Sequence, residues 1–261
     1  MGRNPSVAGM FYPGNPARLK EILDTYFGGS EGAGNALGIV SPHAGYIYSG
    51  RVAAKAFQAL PPGFEGTIIV IGPSHAGYST CVSAVPWRTP LGTVDVDTEF
   101  IAYLDVNVDE FSHRDEHSLE VQIPFIQYHC PGAKIVPIMM GAQTLESAVR
   151  LADLISSAIE STKKDVRIVA SSDFSHYVPM EVAERQDRYA IEALYTLDID
   201  EFYKRIMEEG VSACGYGPIA AMVTICRNLG AHKGSLLEYT TSAETTGDRT
   251  QVVGYAAIAV M

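Results

Sequence analysis

The chain is expected to fold as a single α/β domain over 1–261, with helices flanking a mixed, mostly parallel central sheet. Short apolar runs rich in β-branched residues and bounded by Gly, Pro or Ser recur along it, as strands buried on both faces require. Helical patterns separate these runs, which is the alternation of a sheet built from βαβ units. The length of 261 residues, at about 150 residues per domain as a soft guide, suits one large domain with a full core.

In chain order, the first strands are expected at 37–40, 67–72 (TIIVIG), 134–141 (KIVPIMMG) and 166–170 (VRIVA). Ser49 can cap a helix that places Val52, Ala53, Ala56, Phe57 and Leu60 on one face, and Thr144 a second that aligns Leu145, Val149, Ala152, Ile155 and Ile159. The segment 81–97 alternates and carries Pro86, Pro90 and Gly92, so it is read as an antiparallel hairpin outside the βαβ repeat. After Asp173 the pattern is helical near 180–194, 198–209 and 218–229, and strands at 236–241 and 251–260 return to the sheet.

Composition narrows the function classes. Hydrophobic residues at 47% against 19% charged describe a folded globule and not a disordered chain. With 19 Lys and Arg against 30 Asp and Glu, the formal charge is −11 and no basic run offsets it, so nucleic acid is excluded as a partner. No run reaches about 18 apolar residues and the start lacks a signal pattern, so a cytoplasmic protein with no membrane partner is expected. Cys81, Cys130, Cys214 and Cys226 are too scattered for a disulfide framework and form no C-x-x-C pair.

Three expected strands run directly into histidine-bearing segments: Ser41-Pro42-His43-Ala44-Gly45-Tyr46, Gly72-Pro73-Ser74-His75-Ala76-Gly77 and Ser171-Ser172-Asp173-Phe174-Ser175-His176. In a parallel sheet these loops share the carboxyl edge, where α/β proteins bind ligands. One such histidine alone is as readily a hydrogen-bonded core residue; three arriving at one edge make a site. Two imidazoles and an anionic ligand hold a transition metal with positions left open. The third ligand is either the Asp173 carboxylate or Cys214, which precedes a helix whose first turn takes Pro218 and whose dipole favours a thiolate. A fourth cluster, Asp115 to Pro124, is expected to start a helix capped by Ser118 or Asp115, with His117 near the site and Glu120 orienting it. Tyr48 and Tyr216 join these two as residues that contact substrate or support the ligands, while His113, His129 and His232 are assigned no function. The chain has no G-x-S-x-G elbow, P-loop or G-x-G-x-x-G turn, which removes the serine-hydrolase and nucleotide-binding classes.

Taken together, Ser-Pro-His-Ala-Gly-Tyr at 41–46, Gly-Pro-Ser-His at 72–75, Glu-His-Ser-Leu-Glu-Val-Gln at 116–122, Ser-Ser-Asp-Phe-Ser-His at 171–176 and Cys-Gly-Tyr-Gly-Pro at 214–218 resemble the Memo family. Gly9-Met10-Phe11-Tyr12-Pro13 and Val252-Val253-Gly254-Tyr255-Ala256-Ala257 extend the resemblance over essentially the whole chain. It implies a fold similar to the class III extradiol dioxygenases, with His43 and His75 as metal ligands, Cys214 where those enzymes place a glutamate, and His176 as acid/base beside Asp173. The implied cofactor is one Fe(II) or Cu ion, with zinc as a further option, and the implied partners are a small molecule or peptide and radical-SAM and AMMECR-type proteins. The expected function is a metal-dependent oxidoreductase; a zinc hydrolase and a non-catalytic binding module in the inherited cleft are the alternatives.

Overall fold

The computed structural model describes residues 2–28 and 34–261. Strands are β1 Gly38–Ser41, β2 Thr67–Pro73, β3 Cys81–Val82, β4 Trp87–Thr89, β5 Gly92–Val94, β6 Lys134–Met140, β7 Val166–Ser171, β8 His176–Val178, β9 Gly234–Thr241 and β10 Val252–Val260. Helices are α1 Pro16–Phe27, α2 Tyr46–Phe57, α3 Thr98–Ile101, α4 Glu110–His113, α5 Ile123–His129, α6 Leu145–Thr162, α7 Met180–Glu192, α8 Ile199–Glu209, α9 Tyr216–Asn228 and α10 Ala243–Thr246.

The order β6-β2-β7-β1 is parallel throughout and forms the middle of an eight-stranded mixed sheet among the described residues. Antiparallel strands extend both sides, β3 on β6, and β10 on β1 with β9 and β8 on β10. All residues of β1 and β2 are buried, in keeping with their unbroken apolar sequences and with helices on the sheet's faces. The pair β4/β5 makes the separate hairpin expected in 81–97.

The helix α6 follows its cap as expected. Thr144 Oγ1 accepts from the Ser147 N–H at 3.1 Å, and Ala148, Leu151, Ala152, Ile155 and Ile159 form the buried face. It packs on α9, which lies against β7, β1 and β2 and whose buried positions run from Gly217 to Cys226. Helices α1, α2 and α5 pack on one another, with α2 against β10 and β1. Phe125 on α5 fills this layer, stacked on Phe57 with ring centres 5.4 Å apart. No helix among the described residues is long and apolar enough to cross a membrane.

Two local expectations are corrected. Ser49 does not cap α2, which begins at Tyr46 behind Gly45; the Tyr46 ring is buried and its hydroxyl donates to the Val121 carbonyl, so the helix starts where that anchor requires. Ser49 instead donates back to the Ala44 carbonyl at 3.1 Å. Neither Ser118 nor Asp115 caps a helix: 115–119 is irregular chain that enters a short 3-10 turn at Glu120–Gln122 before α5, with Ser118 Oγ donating to the Pro73 carbonyl.

Candidate metal centre

Because β1, β2 and β7 are parallel and in register, with Ser41 opposite Ser171 and Ile71 opposite Ala170, their following loops leave the sheet at one edge. His43, His75 and His176 arrive there as expected. His43, His75 and His117 each offer a ring nitrogen, and these nitrogens lie within 4.8 Å of one another, close enough to hold one ion. The His75 and His117 rings stack at 4.4 Å, and His43 stands edge-on to both, at 5.3 Å and 5.6 Å.

The hydrogen bonds fix which nitrogens are available. Ser171 Oγ donates to the Ser118 carbonyl at 2.6 Å and accepts from Gln122 Nε2 at 2.8 Å, so its remaining lone pair takes the Nδ1–H of His43 at 2.8 Å. His43 therefore carries its proton on Nδ1 and keeps a lone pair on Nε2. Burial, followed by the neighbouring imidazoles, holds its pKa well below the usual histidine value, so the ring is neutral. For His75 the acceptor is a carboxylate: Nδ1 lies 2.9 Å from Glu116 Oε1, and the backbone N–H of His75 donates to Glu116 Oε2 at 2.8 Å. Burial lowers the His75 pKa, but the bond and charge of Glu116 outweigh it and raise it, so Nε2 of His75 is the ring nitrogen that a metal would take in exchange for a proton. Burial would raise the Glu116 pKa, but the bonds from His75 and Ser118 outweigh it and bring the group to about 2. A neutral buried imidazole and a second one tied to a carboxylate are a donor set suited to Fe, Cu or Zn.

Cys214 stands beside this group, not inside it. Its Sγ is 3.2 Å from His43 Nε2 and accepts the Asp173 N–H at 3.2 Å. Gly215 permits this approach, since a Cβ there would collide with the Ser171 carbonyl. Burial, then the nearby Asp173 charge, pushes the Cys214 thiol up, opposite to the dipole-favoured thiolate expected from the sequence, and Sγ lies within hydrogen-bond range of both His43 Nε2 and the Asp173 carbonyl. The close third nitrogen comes from His117, because the irregular 115–119 chain lays that ring over His75.

The remaining expected residues are placed as follows. Asp173 is buried and its Oδ1 accepts the His43 backbone N–H at 2.8 Å; burial raises its pKa. It does not orient His176, whose Nδ1 lies 3.0 Å from the Ser212 carbonyl while its own N–H donates to Ser212 Oγ at 2.7 Å. Glu120 does not orient His117 either: its carboxylate is filled by Arg3, Ser6, Val7 and Tyr12. Tyr48 is exposed on the first turn of α2, and Tyr216 turns its ring onto Tyr203 at 5.4 Å, away from any bond to the histidines. Sequence reasoning overlooked Glu116 as the partner of His75. The acid adjoins His117 in sequence, and nothing in the local pattern points to a ring 41 positions earlier.

The fold and the cluster together define a single-domain α/β protein with three histidines gathered at the carboxyl edge of its sheet. The chain belongs to the Memo family: the sequence profile of the Memo-like proteins matches residues 3–259. It is 45% identical to a MEMO1 family protein of Methanosarcina barkeri over 99% of both chains, and 42% identical to one of Nitrosopumilus maritimus over 99% of both. A third, from Methanopyrus kandleri, is 37% identical over 99% of this chain and 98% of its own. Among solved structures, an uncharacterised Escherichia coli K12 protein matches with a TM-score of 0.51 at 11% identity, over 86% of this chain and 100% of that one, a likeness of fold.

Proposed function

We propose that this Memo-family chain binds one transition-metal ion through Nε2 of His43 and Nε2 of His75 and acts as a metal-dependent oxidoreductase. The observation that carries the reading is the pair of Nδ1 partners, Ser171 and Glu116, which leave Nε2 as the metal-facing atom of two rings in a group whose ligand atoms lie within 4.8 Å of one another. The third donor is either the His117 ring nitrogen or Cys214, whose Sγ lies 3.2 Å from His43 Nε2 and whose thiol proton would leave on binding. Bound Fe(II) or Cu supplies redox and Lewis-acid chemistry, whereas Zn(II) supplies only the second, as in a hydrolase.

The chain's own groups do the rest. The Ser212 carbonyl occupies Nδ1 of His176, so Nε2 is the atom that takes or returns a substrate proton. Asp173 holds the His43 backbone and keeps the loop at its distance from β7. A cleft of about 320 Å³ bounded by His75, His117, Tyr78 and Phe111 opens onto the cluster and admits a small organic substrate. Exposed Tyr177 beside His176, together with exposed Tyr48, favours a second reading in which the same edge binds a peptide or small molecule without turnover.

The test is metal stoichiometry and affinity of anaerobically purified protein beside His43→Ala, His117→Ala and Cys214→Ser, with Fe(II), Cu(I) and Zn(II) added. One equivalent in the wild type, lost in His43→Ala, supports the site, and whichever of the other two variants loses metal identifies the third donor. Absence of metal in every form would overturn the proposal and leave the binding reading.

A further inference from the structure

Arg3 lies far from the histidines in sequence and is buried, and each of its three nitrogens donates to one stretch of chain. Its Nε donates to the His113 carbonyl at 2.7 Å, Nη2 to the Glu116 carbonyl at 2.8 Å, and Nη1 to Glu120 Oε2 at 2.7 Å. The guanidinium stacks 4.1 Å over Trp87, and the Arg3 backbone is bridged to Pro86 and Arg88. The arginine is thus fixed from behind before it reaches the 113–120 segment.

That segment needs an external hold. Residues 115–119 have no helical or strand pairing of their own, and the carbonyl of Glu116 is taken by Arg3. On its other side the same residue sends its carboxylate to Nδ1 and the backbone N–H of His75 and to the Ser118 N–H. Glu116 is therefore held between Arg3 and His75, and His117, the next residue, lies over the His75 ring. Ser6, Val7 and Tyr12 close the anchor by donating to Glu120, so the chain from Gly2 to Tyr12 forms a strap along the segment. His43 is tied to this stretch less directly: its acceptor Ser171 belongs to β7, and only through the Ser171 hydroxyl, which donates to the Ser118 carbonyl and accepts from Gln122, does it meet the segment.

We infer that Arg3 is a positioning residue of the histidine cluster: its three-way bond to His113, Glu116 and Glu120 sets where Glu116 meets His75 and where His117 lies. The inference rests on the metal reading for its consequence, but its geometry can be tested without metal. A planar guanidinium with a fixed fork reaches three acceptors at once, which a lysine ammonium on the same stem does not. Partners one step removed from a metal ligand change its affinity by roughly 10–100-fold when lost.

The experiment uses the full chain as wild type, Arg3→Met, Arg3→Lys and Ser6→Ala. Two quantities are read: zinc affinity, with Zn(II) alone as the probe, and the imidazole ¹⁵N and ¹H resonances of the metal-free proteins. Arg3→Met is expected to weaken zinc binding by roughly tenfold, the low end for a ligand's own partner because Glu116 stands between, and to move the His75 and His117 resonances more than those of His43. Arg3→Lys should give the same selective pattern at smaller size, and Ser6→Ala, which removes the hydroxyl's bond to Glu120 and its long 3.4 Å contact with Arg3 Nη2 but leaves the three arginine bonds to His113, Glu116 and Glu120, should give neither change. If Arg3→Met fails to fold, Arg3→Lys supplies both readouts. Wild-type affinity and unmoved His75 and His117 signals in the arginine variants would overturn the inference. Equal movement of all three histidines, or the same changes in Ser6→Ala, would reduce Arg3 to general stability and overturn it as well. If the wild type takes up no zinc, the metal reading fails, and the metal-free resonances still decide the role of Arg3.

Discussion

Replacing Asp187 with Asn should remove a pH dependence that wild-type stability carries. Asp187 is fully buried on α7, where its Oδ1 accepts the Ser175 hydroxyl at 2.6 Å and backbone N–H at 3.1 Å, and its Oδ2 accepts the Tyr239 hydroxyl at 2.7 Å. Among the described residues no Lys or Arg pairs with it. Burial raises its pKa from 3.8 to about 6, against the opposing effects of the Ser175 and Tyr239 bonds and the charge of His176. A folded-state pKa above the unfolded one means that the folded chain binds the proton more tightly, so the contribution is complete below 3.8 and is lost as pH rises through 6. A shift of about two units at 1.36 kcal/mol each amounts to about 3 kcal/mol, of which about 2 kcal/mol develops between pH 4.5 and 8. Asn preserves the shape: its Oδ1 still accepts from Ser175, and its Nδ2 donates to a Tyr239 hydroxyl turned to receive it. Urea unfolding of both proteins at intervals from about pH 4.5 to 8 isolates the one group, because all others titrate alike in both. The variant should gain about 2 kcal/mol relative to wild type across that range. A stability difference that stays constant with pH would refute the reasoning.

Three further outcomes follow from the packing and the site. Phe125→Ala should cost about 3–5 kcal/mol in urea unfolding, since the ring is fully buried and packs on Tyr46 at 4.6 Å and on Phe57; a loss under about 1 kcal/mol would mean the cluster is not core. Thr144→Ala should cost about 1 kcal/mol, because the α6 cap loses its bond to the Ser147 N–H, and an unchanged unfolding midpoint would argue against the cap. Ser171→Ala should lower metal affinity roughly tenfold or more by freeing the His43 ring from its Nδ1 acceptor; calorimetric titration giving wild-type affinity would show that His43 holds its tautomer without help.

What could be foreseen from the sequence divides along a physical line. Buried strands announce themselves by unbroken β-branched runs, and once TIIVIG and VRIVA are parallel neighbours the loops after them must share an edge, so the convergence of His43, His75 and His176 follows from topology. The α6 cap and the 81–97 hairpin were foreseeable for the same reason, because each is encoded by residues a few positions apart. Several of the corrections fall where a segment is held by distant partners. Periodicity contains no record that Tyr46 anchors on Val121, that Glu116 reaches His75, or that Arg3 grips both carbonyls flanking Arg114 and Asp115. The sheet edge thus brings the histidine loops together by architecture, while the precise donor set is chosen by 113–122, a stretch with little pattern of its own. A change in that stretch or its strap can therefore retune the site without touching the sheet, and separate scaffold stability from site geometry as two properties a substitution can alter one at a time.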